Sequence, residues 1–576
     1  MHLTPSTAWV WLIACAVVIL FFPLAAQFGN LKRKLSSFRT WVWAIALLGI
    51  VTAGFMPFAL DPDIANFEVQ PFIFFITGTL LGVLFLGEFH RMNAQKKLEH
   101  PQRVHAERRT RYSKAVEQLA YPNPAVRASA LSALAGLVDE WLADEQLSVE
   151  ARQKEGQVIV NALCAYVRSP FSRAFKAEAF ESDTPPANYA GDFATDLAAF
   201  RGEQDVRRSV FVEMSKRSSA LAENKKGEVA VVPGAWSGFE FDFSRAVVFY
   251  PLDGLTIENA NFSAARFCNG SDFSGAAFVG TVDFSHATFE SNAGFGDATF
   301  ADEVNFSHAT FESNAGFGDA TFADEVNFSH ATFTQNADFG GASFMQSAHF
   351  DGVKFMQKAH FSGANFAQDA NFTGAAFIQN ASFGGVNFAR NADFSWAVFA
   401  QNAHFIGATF GQIADFSGVT FTQNARFSET AFAQVARFKW ATFTQTADFS
   451  EAAFAQGADF SEATFEADAE FYGASFGQTA DFCDVSFVKS PPLFVAEDAD
   501  SGEMCRARFA ALSAGSESAG QEAHNFAVYE GSQLIPLGTA ELNGVGYRIP
   551  VGVVLFDPAS WDEHRKEYTR LSEPAQ

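Results

Sequence analysis

The chain is dominated by a regular recurrence of apolar positions among polar ones between residues 262 and 487. A phenylalanine recurs after five residues and then after six through this whole segment, so the pattern repeats every eleven residues. A small apolar residue precedes almost every phenylalanine by two positions. Because side chains two residues apart in an extended strand point the same way, each small-x-Phe triplet predicts a short strand with its apolar side chains facing inward.

A tandem duplication indicates how many residues make one coil. The segment 284–305 recurs unchanged as 306–327, so the copied unit is twice the repeat of eleven. A solenoid keeps every downstream side chain on its own face only when an insertion adds whole turns. We therefore predict that two repeats, or twenty-two residues, make one coil. Four phenylalanines per coil predict a mainly β fold, a four-sided β-helix whose sides are short strands.

The triplets Ala-Asn-Phe and Ala-Asp-Phe recur within this segment, for example at Ala260, Ala364, Ala337 and Ala392. With these motifs the segment resembles the pentapeptide-repeat family, and the chain as a whole is similar to membrane-anchored bacterial members of it. The resemblance implies a right-handed quadrilateral β-helix. This chain differs from the strict five-residue spacing of the family by alternating five with six. Members of such a family share an architecture and differ in role, so function has to be argued from the surface.

Three apolar runs precede the repeats, at 8–26, 41–60 and 69–87. Each is long enough to cross about 30 Å of hydrocarbon as a helix, which predicts three transmembrane helices. Basic residues lie between the first two runs and after the third, whereas 61–68 has none. The positive-inside rule then predicts a cell-membrane protein with its N-terminus outside and everything after about His90 in the cytoplasm.

The stretch that follows the third run is rich in lysine and arginine. It is interpreted either as a contact with anionic lipid or as an orientation signal on a solvated helix. The residues assigned to the lipid contact are Arg91, Lys96, Lys97, Arg103, Arg108 and Arg109.

Between 111 and 224 the apolar period becomes helical. The pattern predicts helices over 112–119, 125–137, 149–168 and 204–223, with a proline turn at 121–124 and a loop at 180–193. A helix, a proline turn and a second helix resemble one hairpin of a HEAT-type α-solenoid. This part is interpreted either as a small interaction domain or as a spacer.

The chain is therefore predicted to have four parts. They are a three-helix transmembrane anchor at 1–90, a basic juxtamembrane and α-helical domain at 91–235, the β-helix at 236–488 and a cap or tail at 489–576. Residues 236–255 are predicted to close the N-terminal end of the solenoid, because an open β-helix end would template aggregation. The tail is predicted to contain short strands at 526–529, 533–537 and 547–556 and a charged helix at 561–568.

Composition adds one feature to this picture, an uneven charge. The net charge is −25, and residues 237–488 contain 29 acidic and 8 basic residues, so nearly all of the imbalance belongs to the solenoid. A long acidic surface repels, solubilises or meets a basic partner. The outward acidic positions on the strands are Asp272, Asp283, Asp338, Asp393, Asp415, Asp448, Asp459 and Asp481.

Two side-chain columns are candidates for chemistry. His286, His308 and His330 are spaced by one whole coil each and should stack, either as a metal site or as a consequence of the duplication. Glutamines recur at multiples of eleven and should form two hydrogen-bonded ladders on opposite corners, which is a structural use. They are Gln335, Gln346, Gln357, Gln368, Gln379, Gln401, Gln412, Gln423, Gln434, Gln445, Gln456 and Gln478.

No other motif indicates catalysis. The five cysteines are scattered without a CxxC pair, which favours reduced packing residues over a disulfide or zinc framework. There is no phosphate-binding glycine loop, no HExxH and no supported nucleophile grouping. We predict no catalytic, cofactor-binding or metal site, and no enzyme.

The functional hypothesis is a non-enzymatic, membrane-tethered scaffold that presents an acidic cytoplasmic β-helix to protein partners. The alternative comes from the resemblance, because some pentapeptide-repeat proteins mimic duplex DNA and bind DNA gyrase. That version would bind gyrase or another basic nucleic-acid-binding partner. Direct binding of nucleic acid by so acidic a surface is not expected.

Overall fold

The computed structural model describes Val10 and residues 70–223, 229–268, 271–497, 502–512 and 524–576. The chain divides into two compact units, Met1–Arg111 and Tyr112–Gln576. The α-helices of these described ranges are α1 (Gln70–Gln118), α2 (Pro124–Leu142), α3 (Val149–Arg168) and α4 (Phe193–Ser215), and a 3₁₀ helix spans Ser172–Phe180.

Within the part of the chain that the structure describes, no helix is both long enough and apolar enough to cross a membrane. Apart from Val10, the predicted spans at 8–26 and 41–60 lie outside the described residues. The third, at 69–87, overlaps the start of α1, where most side chains also lie outside the description. The three spans therefore stay predictions.

The solenoid has four parallel sheets, which we number as faces in chain order around one coil. Almost every strand consists of two residues and pairs with the strand at the equivalent position of the next coil, as Thr288 does with Thr310. The coil length and the four sides predicted from the sequence are thus confirmed. Counted over the described residues, face 1 has 12 strands (Val247–Val248 to Ser486–Phe487), face 2 has 9 (Ala293–Gly294 to Ala469–Glu470), face 3 has 13 (Thr256–Glu258 to Val554–Phe556) and face 4 has 12 (Phe241–Asp242 to Ala480–Asp481).

Phenylalanine rings fill the interior. Rings at equivalent positions of successive coils stack nearly parallel, as Phe350 and Phe372 do with centroids 4.8 Å apart and an interplanar angle of 4°. Rings half a coil apart in sequence meet edge to face, as Phe350 and Phe361 do at 5.6 Å and 87°. Alanine or valine two positions before almost every ring leaves room for it. Almost every one of these side chains is inaccessible to solvent.

The N-terminal end of the solenoid is covered by helices α3 and α4. The segment predicted to be the cap is itself the first coil, with Phe241–Asp242 and Val247–Val248 already in faces 4 and 1. The ring of Phe211 on α4 lies 4.6 Å from that of Phe243. Helix side chains also satisfy the free backbone groups of this coil, since Gln157 bonds both the N–H (3.1 Å) and the C=O (2.7 Å) of Glu240. The helical domain is therefore part of the cap. This role favours neither of the two interpretations made from the sequence, an interaction domain or a spacer.

The tail continues the coil at the other end. Leu493, Arg508–Ala510, Asn525 and Val528 add to faces 2, 3, 4 and 1 in turn. Three rings extend the interior columns, because Phe494, Phe509 and Phe526 stack on the last regular coil. A hairpin of Leu537–Leu542 and Val545–Pro550 follows, and Val554–Phe556 ends face 3.

Two predicted helices are wrong, and two predicted strands of the tail differ, since 526–529 contains only an isolated bridge at Val528 and 533–537 is irregular up to Leu537, where a strand begins. The helix expected at 204–223 spans Phe193–Ser215, because Asp192 caps it early, and Ala220–Glu223 is a strand paired with Val229–Val232. The helix expected at 561–568 is a hairpin of Trp561–Asp562 and Glu567–Tyr568. The Tyr568 ring packs 4.1 Å from that of Phe556, a tertiary contact that outweighs the local preference for helix.

His524 fastens the tail to the last regular coil. Its Nδ1 accepts the Ala480 N–H at 3.2 Å, and its Nε2 lies 3.0 Å from the Ala510 carbonyl, to which it donates. The side chain is buried, and loss of hydration lowers its pKa below the ordinary 6.5. Protonation would remove the acceptor at Nδ1, so the folded state requires neutral imidazole.

We expect the stability of the tail to fall as the pH drops below about 6.5, because the unfolded chain then binds a proton that the folded chain does not. The contribution is fully present above that pH, and its slope is at most about 1.4 kcal/mol per pH unit. Urea unfolding at neutral and mildly acidic pH, compared between the wild type and His524→Asn, measures it. An equal pH dependence in both proteins would contradict this role.

Candidate functional site

The eight outward aspartates predicted to form the acidic surface lie on two opposite faces of the solenoid. Asp283, Asp393, Asp415, Asp459 and Asp481 are on face 4, and the other three follow the line of face 2. Each of the eight accepts the backbone N–H two positions ahead, as Asp393 does from Ser395 at 2.8 Å. These hydrogen bonds fix the following corner. The aspartates therefore have a structural role in addition to their charge.

Asparagine makes the same hydrogen bond at equivalent positions. Asn261, Asn305, Asn327 and Asn371 accept the N–H two positions ahead at 2.8 to 2.9 Å. The hydrogen bond at this corner therefore requires a side-chain oxygen and not a negative charge. Charge at these positions is free to serve another purpose.

The charge is distributed in three bands along the solenoid. Residues 281–351 hold eleven Asp and Glu and neither Lys nor Arg. Residues 352–440 hold six Lys and Arg against four Asp and Glu, and 441–488 hold nine Asp and Glu with no Lys or Arg. The acidic surface is thus interrupted by a central band of opposite net charge, which the overall count of the sequence concealed.

The predicted glutamine ladders are not hydrogen-bonded as expected. In the described part of the solenoid no hydrogen bond joins two of these glutamines, which lie on the corners and mostly face solvent. Neighbouring residues make the contacts between coils instead. The side-chain oxygen of Asn380 accepts the N–H of Asn402 at 3.3 Å, and that of Asp369 accepts the N–H of Asn391 at 3.1 Å.

The three predicted histidines do stack. The rings of His286 and His308 are 4.9 Å apart and those of His308 and His330 are 5.1 Å apart. All three lie at the corner between faces 4 and 1, each with a φ of 57° or 58°. Among the described residues, no group of three His, Cys, Asp or Glu side chains is placed to hold a metal ion.

The same corner carries two exposed tryptophans that the sequence reasoning missed. Trp396 and Trp440 have φ values of 58° and 60°, in the left-handed region that Gly352, Gly374 and Gly418 occupy in neighbouring coils. A residue with a Cβ is disfavoured there by about 1 kcal/mol. The two side chains are nevertheless 62% and 48% exposed. The sequence did contain a sign of this left-handed position, because glycines and tryptophans share one position of the coil.

The remaining candidates offer little chemistry. The basic residues Arg91, Arg103 and Arg109 are exposed along α1, while the side chains of Lys96 and Lys97 lie outside the described residues. Burial raises the pKa of the Cys164 thiol to about 12, and burial together with the Glu290 carboxylate raises that of Cys268 to about 12. Such thiols are protonated and inert at neutral pH.

In the part of the solenoid that the structure describes, stacked rings fill the interior from Phe243 to Phe526 and leave no space there for a substrate. The pentapeptide-repeat β-solenoid is a fold that is typically non-enzymatic and serves as a protein-interaction module.

The comparison with known families agrees with this geometry. The family model described as Pentapeptide repeats (9 copies) matches residues 280–321, 310–354, 350–395, 396–439 and 441–486. No curated protein and no solved structure matches the chain. The segment from 280 to 486, which forms most of the solenoid, therefore belongs to the pentapeptide-repeat family.

Proposed function

We propose that the chain is a non-enzymatic scaffold, tethered to the cell membrane by the apolar runs at 8–26, 41–60 and 69–87, whose solenoid docks basic protein partners in the cytoplasm. The observation that carries the docking proposal is the acidic band at 281–351, where eleven carboxylates occur without a single Lys or Arg. Such a field attracts a basic surface over a distance of about 8 to 10 Å at physiological salt.

The exchange of Asp for Asn within the repeats supports this proposal. Because Asn supports the corner equally well, a purely structural requirement would not select Asp over Asn. Asp283 and Asp338 make this hydrogen bond with a charged side chain, whereas Asn305 and Asn371 make it with a neutral one in other coils. Selection for charge accounts for the choice of Asp.

The membrane tether is supported by the length of the three apolar runs and by the basic residues that flank them. The basic stretch beginning at Arg91 would hold the cytoplasmic part close to anionic lipid at about 1 kcal/mol per residue near the surface. The gyrase alternative stays a prediction. The central band of opposite charge interrupts the uniform acidic surface that a mimic of duplex DNA would present.

Amide substitution tests the proposal without disturbing the corners. We expect replacement of the eleven carboxylates of 281–351 by Asn and Gln to abolish recovery of basic partners by cross-linking in cells. The thermal unfolding midpoint should stay close to that of the wild type. By contrast Asp338→Ala, which also removes the hydrogen bond from the Gly340 N–H, should cost about 1 kcal/mol.

The same samples report on the tether. The wild type should stay in the membrane pellet after alkaline carbonate washing, and a chain released by the wash would contradict tethering. Recovery of the same partners by the amide variant would contradict the docking proposal, whether the chain is found in the membrane pellet or in the wash.

A further inference from the structure

The strongest feature that the acidic surface leaves unexplained is what we call the Trp face. We define it as the outward side of face 1 together with the corner before it and the corner after it, from Gly352 to Asp468. Its exposed apolar side chains are Met356 (40%), Ile378 (36%), Trp396 (62%), Val398 (39%) and Trp440 (48%). Threonines and alanines lie between them, among them Ala376, Thr420, Thr422, Thr442 and Thr444.

The two ends of the Trp face carry opposite charges. At the N-terminal end Lys354 and Lys358 are exposed, and neither forms an ion pair within the described part of the chain. At the C-terminal end Glu466 is exposed and likewise unpaired among the described residues, and Asp468 forms an ion pair with Lys489 at 2.8 Å. Lys439 beside Trp440 forms an ion pair with Glu462 at 3.2 Å. Apart from this internal pair, the face runs from positive through apolar to negative over six coils.

Such a charge pattern is complementary to a second copy of itself that runs in the opposite direction along the solenoid axis. We propose that the Trp face binds the Trp face of a second copy of this chain, antiparallel, about a two-fold axis between the coils of Phe399 and Phe421. Lys358 and Asp468 each lie three positions after the face 1 phenylalanine of their coils, Phe355 and Phe465. The two-fold axis therefore brings each lysine opposite the aspartate of the other copy, twice per dimer.

The corner before face 1 brings both tryptophans to the centre of the contact under the same symmetry, and one of them faces an open glycine. The coil of Phe399 faces the coil of Phe421, so Trp396 of one copy lies opposite Gly418 of the other. The coil of Phe377 faces that of Phe443, so Trp440 lies opposite Gly374. Nothing lies within 4 Å of the position that a Cβ of Gly374 would take, so this site can receive the Trp440 ring, as close packing at an interface core requires. Gly418 is already covered by the Trp396 ring of its own chain, so the Trp396 rings of the two copies meet each other there.

A second copy fits this face better than an unrelated partner does. Two solenoids share the coil rise of about 4.8 Å, so their side-chain columns remain in register along the whole contact. The contact is about 29 Å long, which is small for a stable interface and corresponds to a weak dimer. This inference is independent of what the acidic band binds.

Analytical ultracentrifugation of the full chain in a non-ionic detergent, over the micromolar range, tests the proposal. We expect a monomer–dimer equilibrium that weakens at high salt. Lys358→Glu and Asp468→Lys should each raise the dissociation constant by about tenfold or more, and the double variant should restore it, because the pair is then exchanged. The matched control is Arg390→Glu, the same kind of charge reversal away from the Trp face, which should leave the dissociation constant unchanged.

A second variant separates association from folding. Trp396→Gly with Trp440→Gly places glycine where the backbone prefers it, so the thermal midpoint should not fall while dimerisation is lost. A chain that stays monomeric at the highest concentration would overturn the proposal. So would a dimer that survives the tryptophan changes, or an exchanged pair that fails to restore binding. Capture of a different protein by this face without self-association would equally overturn it.

Discussion

Replacing Phe372 by alanine is expected to lower the free energy of unfolding by about 3 to 5 kcal/mol, because it opens a cavity in a continuous column of rings. Phe372 is inaccessible to solvent and stacks between Phe350 and Phe394 at 4.8 and 4.7 Å. It also meets Phe361 and Phe383 edge to face at 5.5 and 5.6 Å. Strands above and below prevent collapse of the space, since the coil rise is fixed by backbone hydrogen bonds.

Equilibrium urea unfolding followed by far-ultraviolet circular dichroism measures this cost. Phe372→Leu is the graded control and should lose about 1 to 2 kcal/mol, because most of the volume is retained. The surface change Thr373→Ala on the same coil should alter the stability by less than about 0.5 kcal/mol. Equal midpoints for the alanine and leucine variants would show that the rings do not determine stability.

The second large effect is expected in the helical cap, at a buried cluster of charges. Glu203 accepts from Arg127 at 2.8 Å, from Arg207 at 2.7 Å and from the Tyr166 hydroxyl at 3.1 Å. The Arg207 side chain is only 2% exposed. Burial and the Glu203 carboxylate raise the pKa of Tyr166 to about 12. Glu203→Gln keeps the shape but leaves two guanidinium groups without their anion, which should cost about 3 to 5 kcal/mol.

Because α4 also carries Phe211 over the first coil, loosening the cap should expose the open strand edges. We expect Glu203→Gln to self-associate on mild heating at temperatures where the wild type stays dispersed, and light scattering detects this directly. Asp183→Asn, which removes an exposed ion pair with Arg201, is the control and should have almost no effect. A Glu203 variant as stable as this control would contradict the role of the cluster.

The histidine and glutamine columns show what a repeat pattern can predict and what it cannot. Both lie where the period of the coil places them, because position around a coil depends only on counting residues. Which atoms then form hydrogen bonds does not follow from the count. Exposed glutamines compete with water, whereas Asn380 and Asp369 reach backbone N–H groups of the next coil. The hairpin at Trp561–Asp562 was missed for a related reason, since its partner ring belongs to Phe556.

By itself the sequence determined the length of the coil, its four sides and the side chains that fill it, because every one of these depends on contacts between equivalent residues a fixed distance apart. Only the tertiary structure decided what closes the two ends, that the outward aspartates fix the corners, and that Trp396 and Trp440 are exposed on left-handed backbone. Those features join segments that do not repeat, or depend on backbone conformation at single residues, and neither leaves a period in the sequence.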